Sequence, residues 1–182
     1  MVQEKEELAS RQFQVILWGN DNLLYLLSVN LALALAKERK RVGLLDADLY
    51  GPSLPVMLGL TAERRPVLTA EKEIIPVSVY GLQCMSIGLI QKADTSAAIW
   101  RGLMVSKATE QLLKQVRWGE LDYLVVDLPP GTGDVQITLS QQAKVDAAVL
   151  VSTPQRVALA DVQKAIRMFQ ELKIPVISPA TI

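Results

Sequence analysis

Short apolar runs and longer segments of helical period alternate along this chain, and the alternation predicts its architecture. Phe13–Leu17 (FQVIL), Val42–Leu45 (VGLL), Leu82–Ser86 (LQCMS), Leu121–Asp127 (LDYLVVD), Ala147–Ser152 (AAVLVS) and a run opening at Ile174 (IPVI) read as strands. Most lack a polar alternate position, which fits strands covered on both faces. Leu23–Lys37 reads as a strongly apolar helix. Leu24, Leu27, Leu31 and Leu35 recur at helical spacing, and Ala32, Ala34 and Ala36 permit close packing. Lys37–Arg41 (KERKR) places cations at its C-terminal end, where a solvated helix end is a better reading than nucleic-acid binding. Further helices are predicted over 104–116, 135–142 and 159–172, with one helical turn at Val56–Leu60. Thr61–Val79, rich in charge, Pro and β-branched residues, predicts a surface excursion or hairpin, and Gln91–Ala97 a polar loop. Together these elements predict an α/β fold: a three-layer sandwich with a mostly parallel central sheet and helices on both faces. No repeat or linker divides residues 1–182, so a single α/β domain is expected.

Leu121–Gln136 (LDYLVVDLPPGTGDVQ) is where this pattern carries chemistry. Its strand ends on Asp127, Pro129-Pro130 break the ladder, and Gly131-Thr132-Gly133 and Asp134 follow. A carboxylate at the carboxyl end of a central strand, beside a Gly-rich loop, either holds Mg²⁺ through water or caps the next turn. Two more strands end in polar groups, Asp46/Asp48 and Thr153. In a parallel sheet all three loops line one crevice, which suits a Mg²⁺–phosphate site. Such a site also needs a Gly-rich turn with a Lys after the first strand. Here that turn reads Leu17-Trp18-Gly19-Asn20-Asp21-Asn22-Leu23-Leu24-Tyr25-Leu26. It has one Gly, no Lys and an added anion, so it is no conventional phosphate cradle.

Composition narrows the chemistry further. Half of the residues are hydrophobic and 21% are charged, with nineteen cations balancing nineteen anions. Nothing in that balance points to nucleic acid as the main partner. There is no His, which removes His bases and His ligands, and Cys84 is the only Cys. Cys84 reads as buried filler. No run approaches the ~20 apolar residues of a membrane span, and MVQEKEELASRQ is expected to be neither a signal nor a transit peptide.

Three stretches carry a family resemblance: VNLALALA…VGLLDADLYGPSLP, CMSIGLI…IWRGLM…LDYLVVDLPPGTGDVQITLSQ, and VLVSTPQRVALADVQKAIRMF. The chain closely resembles the Mrp/NUBPL-type iron–sulfur cluster carriers, within the MinD/ParA-like deviant Walker P-loop ATPases, from about Val15 to Val176. The resemblance implies a P-loop NTPase-like sheet, ATP with Mg²⁺, a [4Fe–4S] cluster, and a homodimer or assembly complex. The mitochondrial branch, which serves respiratory complex I assembly, is the nearest in pattern; that implies the mitochondrial matrix, with the cytoplasm as the alternative.

By the resemblance, Asp127 and Asp46 would sit at the metal, and Asp48 would help position the attacking water. Gly131, Thr132, Gly133, Thr153 and Pro154 would line the nucleotide side, and Arg101 would be structural or at an interface. The departures matter equally. Gly19 stands at the signature Lys, Leu24 at the Walker Lys and Tyr25 at the metal-binding hydroxyl. Arg156 replaces an acid, Ser178-Pro179-Ala180 replace Asn-Met-Ser, and the Cys-Pro-x-Cys pair that binds the shared cluster does not occur. The resemblance therefore implies one of three things. The chain is a non-hydrolysing scaffold, or these residues are a part or an altered form of an active ATP-binding carrier, or nucleotide binds through Asp127 and the Gly-Thr-Gly loop.

Overall fold

A computed structural model describes residues 12–19, 23–48, 51–60, 64–71, 73–90, 112, 114–129, 131, 136–137, 140 and 145–181. In chain order the elements are β1 (Phe13–Gly19), α1 (Leu23–Lys37), β2 (Val42–Asp46), α2 (Leu54–Met57), β3 (Val67–Leu68), β4 (Ile74–Ile75), β5 (Val77–Val79), β6 (Leu82–Ser86), α3 (Ile87–Ile90), β7 (Tyr123–Asp127), β8 (Ala147–Ser152), α4 (Arg156–Glu171) and β9 (Val176–Thr181). The predicted loop at Gln91–Ala97 lies outside the described residues. So do most of the predicted helices over 104–116 and 135–142, although Leu112, Lys114, Gln115, Gln136, Ile137 and Ser140 are helical.

Seven strands form one sheet in the order β5-β6-β2-β7-β1-β8-β9. Every pairing is parallel except β5 with β6, so the sheet is mostly parallel, as the sequence predicts. The sequence reading folded β5 into the surface excursion. Its two inward valines, Val77 and Val79, are buried beside β6, while Ser78 between them is exposed. Elsewhere in that excursion, among the described residues, β3 and β4 pair antiparallel.

Alternation along the strands divides the core. Val15, Leu17, Leu44, Cys84 and Val125 face α1, with Leu24, Val29 and Ala32 packed against them. Ile16, Trp18, Leu45, Met85, Val126 and Leu150 face the other way, towards Val162, Ala165, Met168 and Phe169 of α4. This is the three-layer arrangement a two-sided apolar strand requires. Gly43 lets the β2 backbone pass close to its neighbours, because a Cβ there would meet Leu121 Cδ1 at 2.6 Å.

The C-terminal boundary of β1 differs from the expected one. The sequence puts the end of β1 at Leu17, but the strand runs on through Trp18 and Gly19 and pairs with Leu150 and Val151 of β8. Trp18 is 1% exposed, so its indole adds buried area to the strand rather than to the turn.

Candidate functional site

In the strand order β1 is followed in the chain by β2, two places away across β7, and β7 by β8, two places away in the opposite direction across β1. The crevice between β1 and β7 is therefore the switch point, where open α/β sheets place ligands. Gly19 at the end of β1 and Asp127 at the end of β7 flank it.

Two carboxylates meet beside this crevice. Asp46 and Asp127 are register partners on β2 and β7, and Ser86 ends β6 in register with Asp46. All three are buried. Asp46 accepts from the Asp48 N–H at 3.0 Å, the Leu54 N–H at 3.3 Å and the Ser86 hydroxyl at 3.0 Å, which occupies both of its oxygens. Burial raises its pKa to about 6 against these three bonds, with the Asp48 charge adding to the rise. Asp127 is raised further, to about 7. Burial is the main cause, and the charges of Asp46 and Asp48 add to it against the Ser28 hydrogen bond. Its Oδ1 is buried with no partner among the described residues.

Helix α1 supplies the polar groups that face these acids. Ser28 Oγ lies 2.8 Å from Asp127 Oδ2 and 2.9 Å from the Tyr25 carbonyl. A hydroxyl has one proton to give. When Asp127 is protonated, its carboxyl donates to Ser28 and Ser28 donates to Tyr25, and both contacts are satisfied. The Tyr25 hydroxyl donates to Asp48 Oδ2 at 2.5 Å. Burial and that carboxylate raise the phenol's pKa well above its ordinary value. Asp48 also accepts from the Gly51 N–H at 3.1 Å. From the opposite face of the sheet the Trp18 indole donates to the Gly131 carbonyl at 2.5 Å. Gly131 has φ 101°, a conformation that only Gly adopts without strain.

The fold thus brings together Asp46, Asp48 and Asp127 of the residues singled out in the sequence, while Gly131 is bonded to Trp18. Thr132, Gly133 and Asp134 lie outside the described residues, as do Arg101 and Asp21. Thr153 is half-buried and Pro154 exposed in the loop after β8. That loop shares the sheet edge but lies two strand spacings from β7, about 10 Å. Ser28, Ser86 and Tyr25 are the polar partners that strand-end reasoning did not assign. The available signal was Tyr25 and Ser28 at i, i+3, the only hydroxyls in a helix whose other polar residues are Asn30 and Lys37.

Among the described residues the acids of this site are already engaged by the protein, apart from the buried Asp127 Oδ1. Both Asp46 oxygens accept from protein donors, and Asp48 Oδ2 accepts from Tyr25. No Lys occurs in the turn after β1. A Cβ at Gly19 would stand 2.9 Å from the Val151 carbonyl, so that position has no room for a longer side chain. Among the described residues no group of three or more His, Cys, Asp or Glu is placed to hold a metal ion. Cys84 is fully buried, and burial pushes its thiol up to about 12, the behaviour of a core residue.

Residues 26–179 match the family description "ParA: NUBPL iron-transfer P-loop NTPase". An iron-sulfur cluster carrier protein of Haemophilus influenzae is 54% identical over 150 residues, covering 82% of this chain and 40% of the relative. The iron-sulfur cluster transfer protein NUBPL of Mus musculus is 51% identical over 152 residues, 82% of this chain and 47% of the relative. An iron-sulfur protein required for NADH dehydrogenase, mitochondrial, of Arabidopsis thaliana is 49% identical over 151 residues, again 82% and 47%. The chain spans less than half the length of these curated relatives. Among solved structures, a nucleotide-binding protein in complex with ADP from Archaeoglobus fulgidus is 36% identical with a TM-score of 0.77, over 96% of this chain and 68% of that one. The septum site-determining protein MinD with Mg-ADP, from Pyrococcus horikoshii, shares the fold at a TM-score of 0.67 and 16% identity, over 93% and 69%.

Proposed function

We propose a function from one premise: this chain belongs to the ParA family of NUBPL-type iron-transfer P-loop NTPases. It serves iron–sulfur cluster assembly as a non-hydrolysing scaffold or assembly subunit that works through protein contacts. The setting this reading favours is the mitochondrial matrix, in support of respiratory complex I, with the cytoplasm as the alternative. The mouse and plant relatives, one of them named for NADH dehydrogenase, support that setting.

One observation carries the reading. Where the family resemblance places the Walker Lys and the metal-binding hydroxyl, this chain has Leu24 and Tyr25. Leu24 is buried in the core, and Tyr25 is spent on Asp48. A charge-assisted phosphate contact contributes roughly 1.5–3 kcal/mol. Losing two lysines weakens nucleotide binding on the order of 10²–10⁴-fold. In this reading Asp46, Asp48 and Asp127 are structural acids, and Gly131, Thr132, Gly133, Thr153 and Pro154 are loop residues with no nucleotide to hold.

A fluorescent ATP analogue titrated into the folded chain, with and without Mg²⁺, tests this. The expected result is no saturable binding up to millimolar nucleotide. Micromolar, Mg²⁺-dependent binding overturns the scaffold reading. It would favour an active ATP-binding carrier with Asp127 and Asp46 at the metal and Asp48 helping to position the attacking water.

A further inference from the structure

Helix α1 is apolar on nearly every side, yet the sheet covers only one of them. Apart from Tyr25, Ser28, Asn30 and Lys37, its residues are Leu, Ala and Val. A helix of that kind is ordinarily buried all round. α1 packs on β1, β2, β6 and β7. Leu26, on its outer side, is 51% exposed. At about 100° per residue, Leu27, Leu31 and Ala34 lie on the flank away from Tyr25, which reaches the loop after β2. Leu24, at the start of that flank, lies with Val151 of β8 against Gly19, so the flank looks over β8. Leu27 and Leu31 are half-buried there, and Ala34 is exposed.

β8 and β9 carry the sheet on beyond this flank. Val149 and Ile177 are register partners on them. Val149 packs on the α1 side of the core, so Ile177 points to the same side. α4 covers both strands from the opposite side. On the α1 side Val149 is half-buried and Ile177 is 52% exposed. The result is an apolar groove with α1 as its wall and β8 and β9 as its floor. Two strands span about 10 Å, the width of one helix. Lys37, Arg39 and Lys40 are exposed at the end of the wall, with Glu38 the one acid among them.

We infer that this groove docks an amphipathic helix of a partner protein. The apolar face of that helix lies on Val149, Ile177, Leu27 and Leu31, and an acidic end lies against Lys37, Arg39 and Lys40. This rests on the reading that the chain works through protein contacts, and it names the surface that makes one. Apolar contact supplies the affinity, and the cations at one end set the direction of the helix.

The probe is a synthetic amphipathic helix of about 14 residues, about 20 Å long to match β8, with leucines along one face and glutamates at one end. It is titrated into the whole chain carrying ¹³C-labelled Ile, Leu and Val methyls. Saturable shifts centred on Val149, Ile177, Leu27 and Leu31 are expected, at roughly 10–100 µM. Ile177→Lys is expected to weaken binding about tenfold or more, while Leu26→Lys, on the outer side of α1, leaves it unchanged. Lysines in place of the glutamates are expected to weaken it at least about threefold at low salt. No saturable shift at millimolar peptide overturns the proposal. So do equal shifts from a peptide of the same composition with its leucines spread round the helix, or equal losses in the two variants. Shifts of the same methyls on concentrating the chain alone, with a dimer in sedimentation, would give the groove to a second copy and overturn it too. If Ile177→Lys fails to fold, the shifts of the parent and the rearranged peptide still decide. The nucleotide titration judges the scaffold reading separately. A chain that binds both Mg-ATP and the helix keeps the groove and loses the scaffold reading, and a chain that binds neither does the reverse.

Discussion

Asp127 shows how a single buried acid couples this fold to pH. Its folded pKa, about 7, lies above the ordinary carboxylate value, and so does that of Asp46, about 6. The native state then holds more protons than the unfolded chain between about pH 4 and those values. Their contribution is most favourable below about pH 4 and is lost as pH rises through 6 and 7. Asp127→Asn should therefore be more stable than the parent near pH 8, by about 1–3 kcal/mol, with the gap closing near pH 4. Urea unfolding at the two pH values checks this; equal gaps at both would show that Asp127 is not the coupled group. A second residue-scale case is the β5–β6 turn. Tyr80 and Gly81 both have positive φ, at 50° and 79°, in a two-residue hairpin loop, and the Tyr80 side chain is exposed. Such turns favour Asn before Gly. Tyr80→Asn should raise stability by about 0.5–1 kcal/mol, read as a higher urea midpoint at unchanged slope.

At the scale of elements, the apolar rhythm was legible where packing and sequence period agree. Leu23–Lys37, Leu82–Ser86 and Ala147–Ser152 have the same limits in the structure as in the sequence pattern. α4 begins at Arg156, three residues earlier than its apolar face, because exposed Val157 and partly exposed Ala158 hide the period at its start. β1 was cut short because Trp18-Gly19 reads as turn chemistry, whereas pairing with β8 and burial of the indole carry the strand on. The packing of Gly19 against β8 also limits what can stand there. Gly19→Lys, toward the family pattern, should cost about 1–3 kcal/mol through its contact with the Val151 carbonyl rather than restore a phosphate cradle. The α4 layer depends on Phe169, which is fully buried. Phe169→Ala should cost about 3–5 kcal/mol by chemical denaturation. A loss below 1 kcal/mol would mean that α4 is not docked as described.

For the molecule as a whole, the sheet order sets where the chain opens first. β7 and β1 sit at the centre with partners on both sides, while β5 and β9 form the edges. Hydrogen exchange should find Val125 and Ile16 amides closing the scale of protection and Val77 and Ile177 amides opening it; a protected edge would signal a covering partner. The convergence of the strand-end carboxylates Asp46 and Asp127 was legible at this scale too, since it needs only an apolar alternation and a topology rule. Which groups answer those carboxylates was not. Tyr25 and Ser28 are local neighbours in sequence but meet Asp48 and Asp127 only after 23 and 99 positions of chain have folded back. The Trp18 indole carries one more consequence, an optical one. The chain has three tryptophans, and Trp18 is the one bonded to the Gly131 carbonyl. A variant with Phe at positions 100 and 118 leaves it as the sole long-wavelength emitter. Its light reports directly, with no dye and no ligand, whether water has reached the centre of the molecule.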